Sequence, residues 1–117
     1  RRHRSEGGDQ MDQKWKTLEK LEALLADRKK ADPASSYVAK LYAKGDKKIA
    51  QKVGEEAVET AMAVAADDNN ELIQESADLL FHLMVLLEAR DLGLADVAEE
   101  LARREGLSGL TEKANRP

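Results

Sequence analysis

The sequence predicts an all-α fold, a helical bundle whose core is shared across a homodimer, and three observations carry that expectation. Ala and Leu number 34 against 8 for Val and Ile, a balance that favours helix formers over β-branched strand formers. Apolar residues recur three and four apart in segments separated by short polar breaks. One such segment, Leu79 to Leu87, has His82 as its only polar residue, so it is apolar on every face. A helix of that kind needs neighbours all round.

The elements follow in order. Trp15, Leu18, Leu21, Leu24 and Leu25 place a first helix over Asp12 to Lys29, stopped by Ala31-Asp32-Pro33. A short second helix starts at Ser35 or Ser36, either able to cap it, carries Tyr37, Val38, Leu41 and Tyr42, and ends at Gly45. Asp46 is the expected cap of a third helix reaching Ala66, with Ile49, Val53, Ala57, Thr60 and Val64 on its apolar face. Asp68 and Glu71 have the spacing of a capping box and open a fourth helix from Asn70 to Leu92. A last helix runs from Asp96, its cap, to Glu105, and an extended tail follows from Leu107 to Pro117. Only the first and third helices are long enough to cover the fourth. Two neighbours cannot enclose it, so a second copy must. The expectation is an obligate homo-oligomer, with a dimer the commonest closed form.

Residues 11–117 make one domain. Residues 1–10 hold no apolar segment of the kind a signal peptide needs, and they are expected to be a disordered extension or a non-native remnant, with no role for His3. The absence of cysteine excludes disulfides, thiolate nucleophiles and Cys-based metal sites. A net charge of −4 leaves no electrostatic footprint for nucleic acid, and Leu79–Leu87 is far short of a membrane span. A cytoplasmic protein is expected. Phosphate-binding glycine loops and nucleophile elbows are missing, and two histidines cannot build a zinc site.

The remaining chemistry is carboxylate. Glu56 and Glu59 lie three apart on the third helix, and Glu75 and Asp78 three apart on the fourth, so each pair shares a helix face. Glu71, Glu75, Asp78 and His82 line one stripe of the fourth helix. The turn centre falls between Asp68 and Asn69, with Glu59 nine and a half residues before it and Asp78 nine and a half after it. An antiparallel hairpin therefore sets the two acidic pairs level, and four converging carboxylates need a cation between them. An oxygen-only cage suits Mg²⁺ or Mn²⁺. Solvated glutamates on a helix surface would produce the same local spacing without a metal.

Lys40, Lys44, Lys47, Lys48 and Lys52 fall within thirteen residues just before the acidic pair. They are either an ordinary solvated surface or cations that grip phosphates, with Lys52, Lys48 and Lys40 the candidates for phosphate binding. Tyr37 and Ser36 are candidate contacts to a base or ribose, although tyrosines at this spacing are more often core. His82 fits a supporting or packing role better than a metal ligand. Gly54 is unusual inside a helix, where it costs about 1 kcal/mol relative to Ala. Close approach by a neighbour or ligand would account for it, as would simple tolerance.

The segments Ser35-Ser36-Tyr37-Val38-Ala39-Lys40-Leu41, Lys52-Val53-Gly54-Glu55-Glu56-Ala57-Val58-Glu59, Glu75-Ser76-Ala77-Asp78-Leu79-Leu80-Phe81-His82 and Glu105 to Lys113 resemble the phosphoribosyl-ATP pyrophosphatases. The likeness extends over nearly the whole chain. The paired acidic motifs are common to the wider all-α nucleotide pyrophosphohydrolases, and the other segments narrow the resemblance to the histidine-pathway family. Val38 and Gln51 depart from that pattern, where threonine and a second lysine are usual. The resemblance implies hydrolysis of 1-(5-phosphoribosyl)-ATP to 1-(5-phosphoribosyl)-AMP and pyrophosphate. It implies Mg²⁺ held by Glu56, Glu59, Glu75 and Asp78, an attacking water oriented by Glu55, and lysines steadying phosphate groups. The competing expectations are a house-cleaning pyrophosphohydrolase of (deoxy)nucleoside triphosphates and a non-catalytic helical dimerisation module.

Overall fold

The computed structural model describes residues 2–105, with side chains from residue 10 onward. Among the described residues there are five α-helices and no strand: α1 (Arg2–Asp27), α2 (Tyr37–Lys44), α3 (Asp46–Ala65), α4 (Asn69–Ala89) and α5 (Leu94–Arg103), with a 3-10 turn at Arg28–Lys30 after α1. The expected tail from Leu107 lies outside the described residues. No described helix is long and apolar enough to cross a membrane.

Helix starts are where local sequence and observed structure part company. α1 begins at Arg2 rather than at Asp12, where the sequence places its start. No proline precedes Pro33, and a helix nucleated over Trp15 to Leu25 propagates backward until something stops it. Ser36 does cap α2, its Oγ accepting the Ala39 N–H at 3.2 Å. Asp68 caps α4 in the same way, accepting the Glu71 N–H at 3.0 Å. Asp46 does not cap α3. Gly45 holds the cap position at φ +93°, in the left-handed region that favours glycine, while the Asp46 carboxylate accepts from Arg90 at 3.0 Å. α5 likewise starts two residues before Asp96, whose carboxylate reaches back to accept the Gly93 N–H at 2.9 Å.

The α3–α4 pair is the most extensive packing in the molecule. Between the two helices, Asp67 sits at φ +56°, and the Asp68 and Asp67 N–H groups bond to the Ala63 and Val64 carbonyls. That closes α3 with a Schellman turn. Glu56 meets His82 while Glu59 meets Glu75, so partner numbers fall as α3 numbers rise and the helices are antiparallel. The side of α3 that is buried carries Ile49, Glu56 and Ala63. This seven-residue seam replaces the expected stripe through Ala57 and Val64, both exposed. A helix packed along a partner follows a near-heptad period rather than 3.6.

Leu25, Val38, Leu41, Ile49, Met84 and Val85 form the core, flanked by Leu18, Leu21, Tyr42 and Phe81 among others. Tyr42 fastens α2 to α1, its hydroxyl donating to the Leu25 carbonyl at 2.8 Å, and burial pushes its pKa up to about 12. Eight apolar side chains are buried among the described residues, whereas Trp15, Leu24, Val58, Met62 and Ile73 stay exposed. The α4 residues Leu79, Leu83, Leu86 and Leu87 are only half-buried.

Candidate active site

The heptad seam of α3 carries Glu56 inward, and α4 answers it with His82. Both are buried, at 8% and 5% exposure. His82 Nδ1 lies 2.5 Å from Glu56 Oε1 and 3.0 Å from the Asp78 carbonyl oxygen. Facing two acceptors, Nδ1 carries a proton and donates. His82 Nε2 is 3.2 Å from the Tyr37 hydroxyl. Phe81 fixes both rings, edge-on to His82 at 5.1 Å between centroids and stacked on Tyr37 at 6.4 Å. A buried carboxylate thus holds an imidazole, and the imidazole holds a tyrosine at the surface. Tyr37 is 55% exposed, so it lies outside the core that its spacing suggested.

One turn further along α3, the carboxylates meet each other. Glu75 stands against Glu71 and Glu59, and its pKa is pushed up to about 7 by hydrogen bonding with the Glu71 and Glu59 carboxyls, by burial, and by their like charge. Its Oε1 is buried without a hydrogen-bond partner. Glu59, Glu71 and Glu75 line a shallow cleft of about 280 Å³ with Met62, Ala63, Ala66 and Asp68. The expected four-carboxylate cage is brought together only in part. Glu59 and Glu75 converge, Glu56 is engaged by His82, and the Asp78 side chain is exposed. Among the described residues no three Asp, Glu or His side chains stand ready to grip an ion as they are. Mutual repulsion keeps like charges from closing further. The donor set nonetheless fits a hard divalent cation, since it is oxygen throughout and leaves a buried carboxylate oxygen unsatisfied.

On the other side of Glu56, α2 and α3 enclose a cleft of about 210 Å³ walled by Tyr37, Leu41, Lys44, Lys48, Gln51 and Lys52. Two of the expected phosphate-binding lysines, Lys48 and Lys52, line it. Lys40 does not, and is exposed. Gln51 links the cleft to Glu55, taking a hydrogen bond from Lys48 Nζ at 3.4 Å and donating to Glu55 Oε2 at 3.0 Å. Glu55 is exposed and stands outside the Glu59–Glu75 group. The Ser36 hydroxyl is occupied by its cap, and it borders a separate cleft with Arg28, Ser35 and Tyr37.

A profile of the family described as phosphoribosyl-ATP pyrophosphohydrolase matches residues 18–105. The chain belongs to this family. It is 62% identical over 99 residues to the phosphoribosyl-ATP pyrophosphatase of Novosphingobium aromaticivorans, covering 85% of this chain and 92% of the relative. It is 60% identical over 100 residues to that of Erythrobacter litoralis, covering 86% and 96%. Identity is 59% over 90 residues to the histidine biosynthesis bifunctional protein HisIE of Salmonella typhi, covering 77% of this chain but 44% of that one.

Family membership makes the chain a hydrolase, and the matched residues include both the acidic group and the lysine cleft. Two members of these clusters are not among the site residues the sequence points to. Glu71 shares the Glu75 stripe, four residues back, but its spacing from Asp68 reads equally as a capping box. Lys44 lies on α2, so its place in the cleft depends on how α2 docks against α3.

Proposed function

We propose that this chain hydrolyses the α–β phosphoanhydride of 1-(5-phosphoribosyl)-ATP in histidine biosynthesis, releasing pyrophosphate and leaving 1-(5-phosphoribosyl)-AMP, with Mg²⁺ or Mn²⁺ as the cation. The observation that carries this reading is the unsatisfied Glu75 carboxylate oxygen beside Glu59, with a lysine-lined cleft along the same α3 helix that bears Glu59, in a chain of this family. Glu59 and Glu75 would hold the cation, with Glu56 and Asp78 the next carboxylates in reach. When bound, it offsets charge on the phosphate oxygens as the anhydride breaks.

The chain's own groups do the rest. A water oxygen forms a bond to phosphorus as the bridging P–O bond breaks, and its proton passes to a carboxylate. Glu55, held by Gln51 at 3.0 Å, would orient that water, a contribution of about 10²–10⁴-fold for general-base help. His82 keeps Glu56 fixed through the 2.5 Å contact. Lys52 and Lys48 neutralise phosphate oxygens as compact charges. The exposed Val58, Met62 and Ile73 and the half-buried leucines of α4 support assembly as a homodimer with a shared core.

The decisive measurement is pyrophosphate release with Mg²⁺ from phosphoribosyl-ATP, ATP and the common deoxynucleoside triphosphates. Turnover of a deoxynucleotide with none of phosphoribosyl-ATP would overturn the substrate. For assembly, the thermal midpoint should rise with protein concentration, and Leu83→Asp should abolish folding and assembly together. A folded micromolar monomer in sedimentation would refute the shared core.

A further inference from the structure

We propose that the cleft between α2 and α3 is a phosphomonoester subsite, with Lys44, Lys48 and Lys52 as its cations, and that it holds the ribosyl 5-phosphate of the substrate. The identity of that monoester rests on the function proposed above; the charge of the cleft does not.

Four observations converge on it. First, three lysines line one concavity, and among the described residues none of them forms an ion pair, although Lys29, Arg28, Arg90, Arg103 and Arg104 all do. Like charges gathered without a counter-charge oppose folding and attract an anion. The Glu55 carboxylate, one turn past Gln51 on α3, accepts from the Gln51 amide rather than from a lysine. Second, the volume of about 210 Å³ suits a phosphate with part of a sugar. It falls below the roughly 300–1,000 Å³ of sites that take whole drug-sized ligands. Third, the walls are fixed in advance: Leu41 is buried, and Tyr37 is tied to His82 at 3.2 Å and stacked on Phe81. Preorganised walls lower the cost of binding.

Fourth, the spacing along α3 divides the substrate. Lys52 and Glu59 are seven residues apart, roughly 10 Å at 1.5 Å per residue. A cation-loaded polyphosphate belongs with the carboxylates, and a monoester without a metal belongs with the ammonium groups. Phosphoribosyl-ATP carries both, at opposite ends of its nucleoside. A plain nucleoside triphosphate lacks the second, so it can fill one site only. The lysine cleft is therefore the specificity determinant between them.

The test uses wild type, Lys44→Gln, Lys48→Gln and a charge-matched control on α1, Lys20→Gln. Ribose 5-phosphate is titrated into each protein in EDTA and followed by NMR, with inorganic pyrophosphate as the competing probe. Each cleft variant should lose on the order of tenfold in affinity for ribose 5-phosphate, while Lys20→Gln binds like wild type. In turnover, Lys44→Gln should raise KM for phosphoribosyl-ATP by a similar factor and affect any hydrolysis of ATP less, while Lys20→Gln leaves both at the wild-type level. Equal affinity in wild type and both cleft variants, or a cleft that takes pyrophosphate in preference to ribose 5-phosphate, would overturn the subsite. So would equal losses for ATP and phosphoribosyl-ATP. If wild type binds ribose 5-phosphate through these lysines yet releases no pyrophosphate from phosphoribosyl-ATP, the subsite stands and the proposed reaction falls.

Discussion

Glu75 and Glu100 are the same residue type on neighbouring helices, both half-exposed, and the structure pushes them in opposite directions. On α5, Arg103 and Arg104 donate to Glu100 at 2.8–3.0 Å and hold its pKa down to about 2. On α4, Glu71 and Glu59 crowd Glu75 and push it up to about 7. The α5 arrangement is what a surface helix achieves alone, pairing opposite charges three and four residues apart. The α4 arrangement makes no sense as a device for stability. Like charges meet across a helix pair, beside a buried oxygen with no partner. Strained titratable groups of this kind concentrate where chemistry is done.

Charge removal should separate the two regions most strongly in activity. Glu59→Gln and Glu75→Gln are each expected to lose on the order of 10²-fold or more in kcat, the size of effect seen when a transition-state charge partner is removed. Glu100→Gln should leave kcat within about twofold, because a surface ion pair contributes little. In EDTA the first two variants should melt at or above the wild-type temperature, relieved of repulsion, which is the pattern of function held against stability. Glu59→Gln with full activity would dissolve the comparison.

Stability against pH sharpens it next. The folded pKa of Glu75, about 7, exceeds its usual 4.5, so the folded state binds that proton more tightly than the unfolded chain does. Its stabilisation is complete below about pH 4.5 and is lost as pH rises through 7. The melting temperature in EDTA should therefore fall between about pH 5 and about pH 8, and Glu75→Gln should flatten that fall. At the upper pH, Mg²⁺ at 100 times its dissociation constant should return about 2.7 kcal/mol. A wild-type protein that responds to MgCl₂ no more than to a matched monovalent salt would exclude the cation site.

The sequence made the helices and the two acidic pairs legible because those signals are local. Ser36 and Asp68 cap as expected, since a cap needs only residues three positions on. Asp46 and Asp96 were misplaced because Arg90 and Gly93 claim their carboxylates. The 3.6-residue stripe put Glu56 at the margin of α3, whereas the seven-residue seam of the packed pair turns it inward to His82. The two tyrosines could not be told apart by spacing: Tyr42 finds the Leu25 carbonyl inside, and Tyr37 finds His82 at the edge of a cleft. Clusters that span elements were the least legible. Lys44 joins Lys48 and Lys52 only through the docking of α2, and Lys40, one turn earlier, is left out.

The smallest effect compares two glycines, one in each region. An added Cβ at Gly54, on the exposed side of α3 just before Glu55, meets nothing within 4 Å, so no close approach among the described residues accounts for it. At Gly93, which precedes α5, a Cβ would lie 2.9 Å from Glu22 Oε2, the atom that accepts the Leu94 N–H at 2.7 Å. Gly54→Ala should therefore stabilise by about 0.5–1 kcal/mol through helix propensity alone, and Gly93→Ala should destabilise by disturbing the Glu22 contact. With open space around Gly54, kcat/KM should stay within about threefold of wild type. Melting curves and turnover of both variants decide the matter. A Gly54→Ala protein that is more stable yet about tenfold or more less active would show that substrate or a second copy closes onto this side of α3, and that the glycine is kept for the site at the expense of the helix.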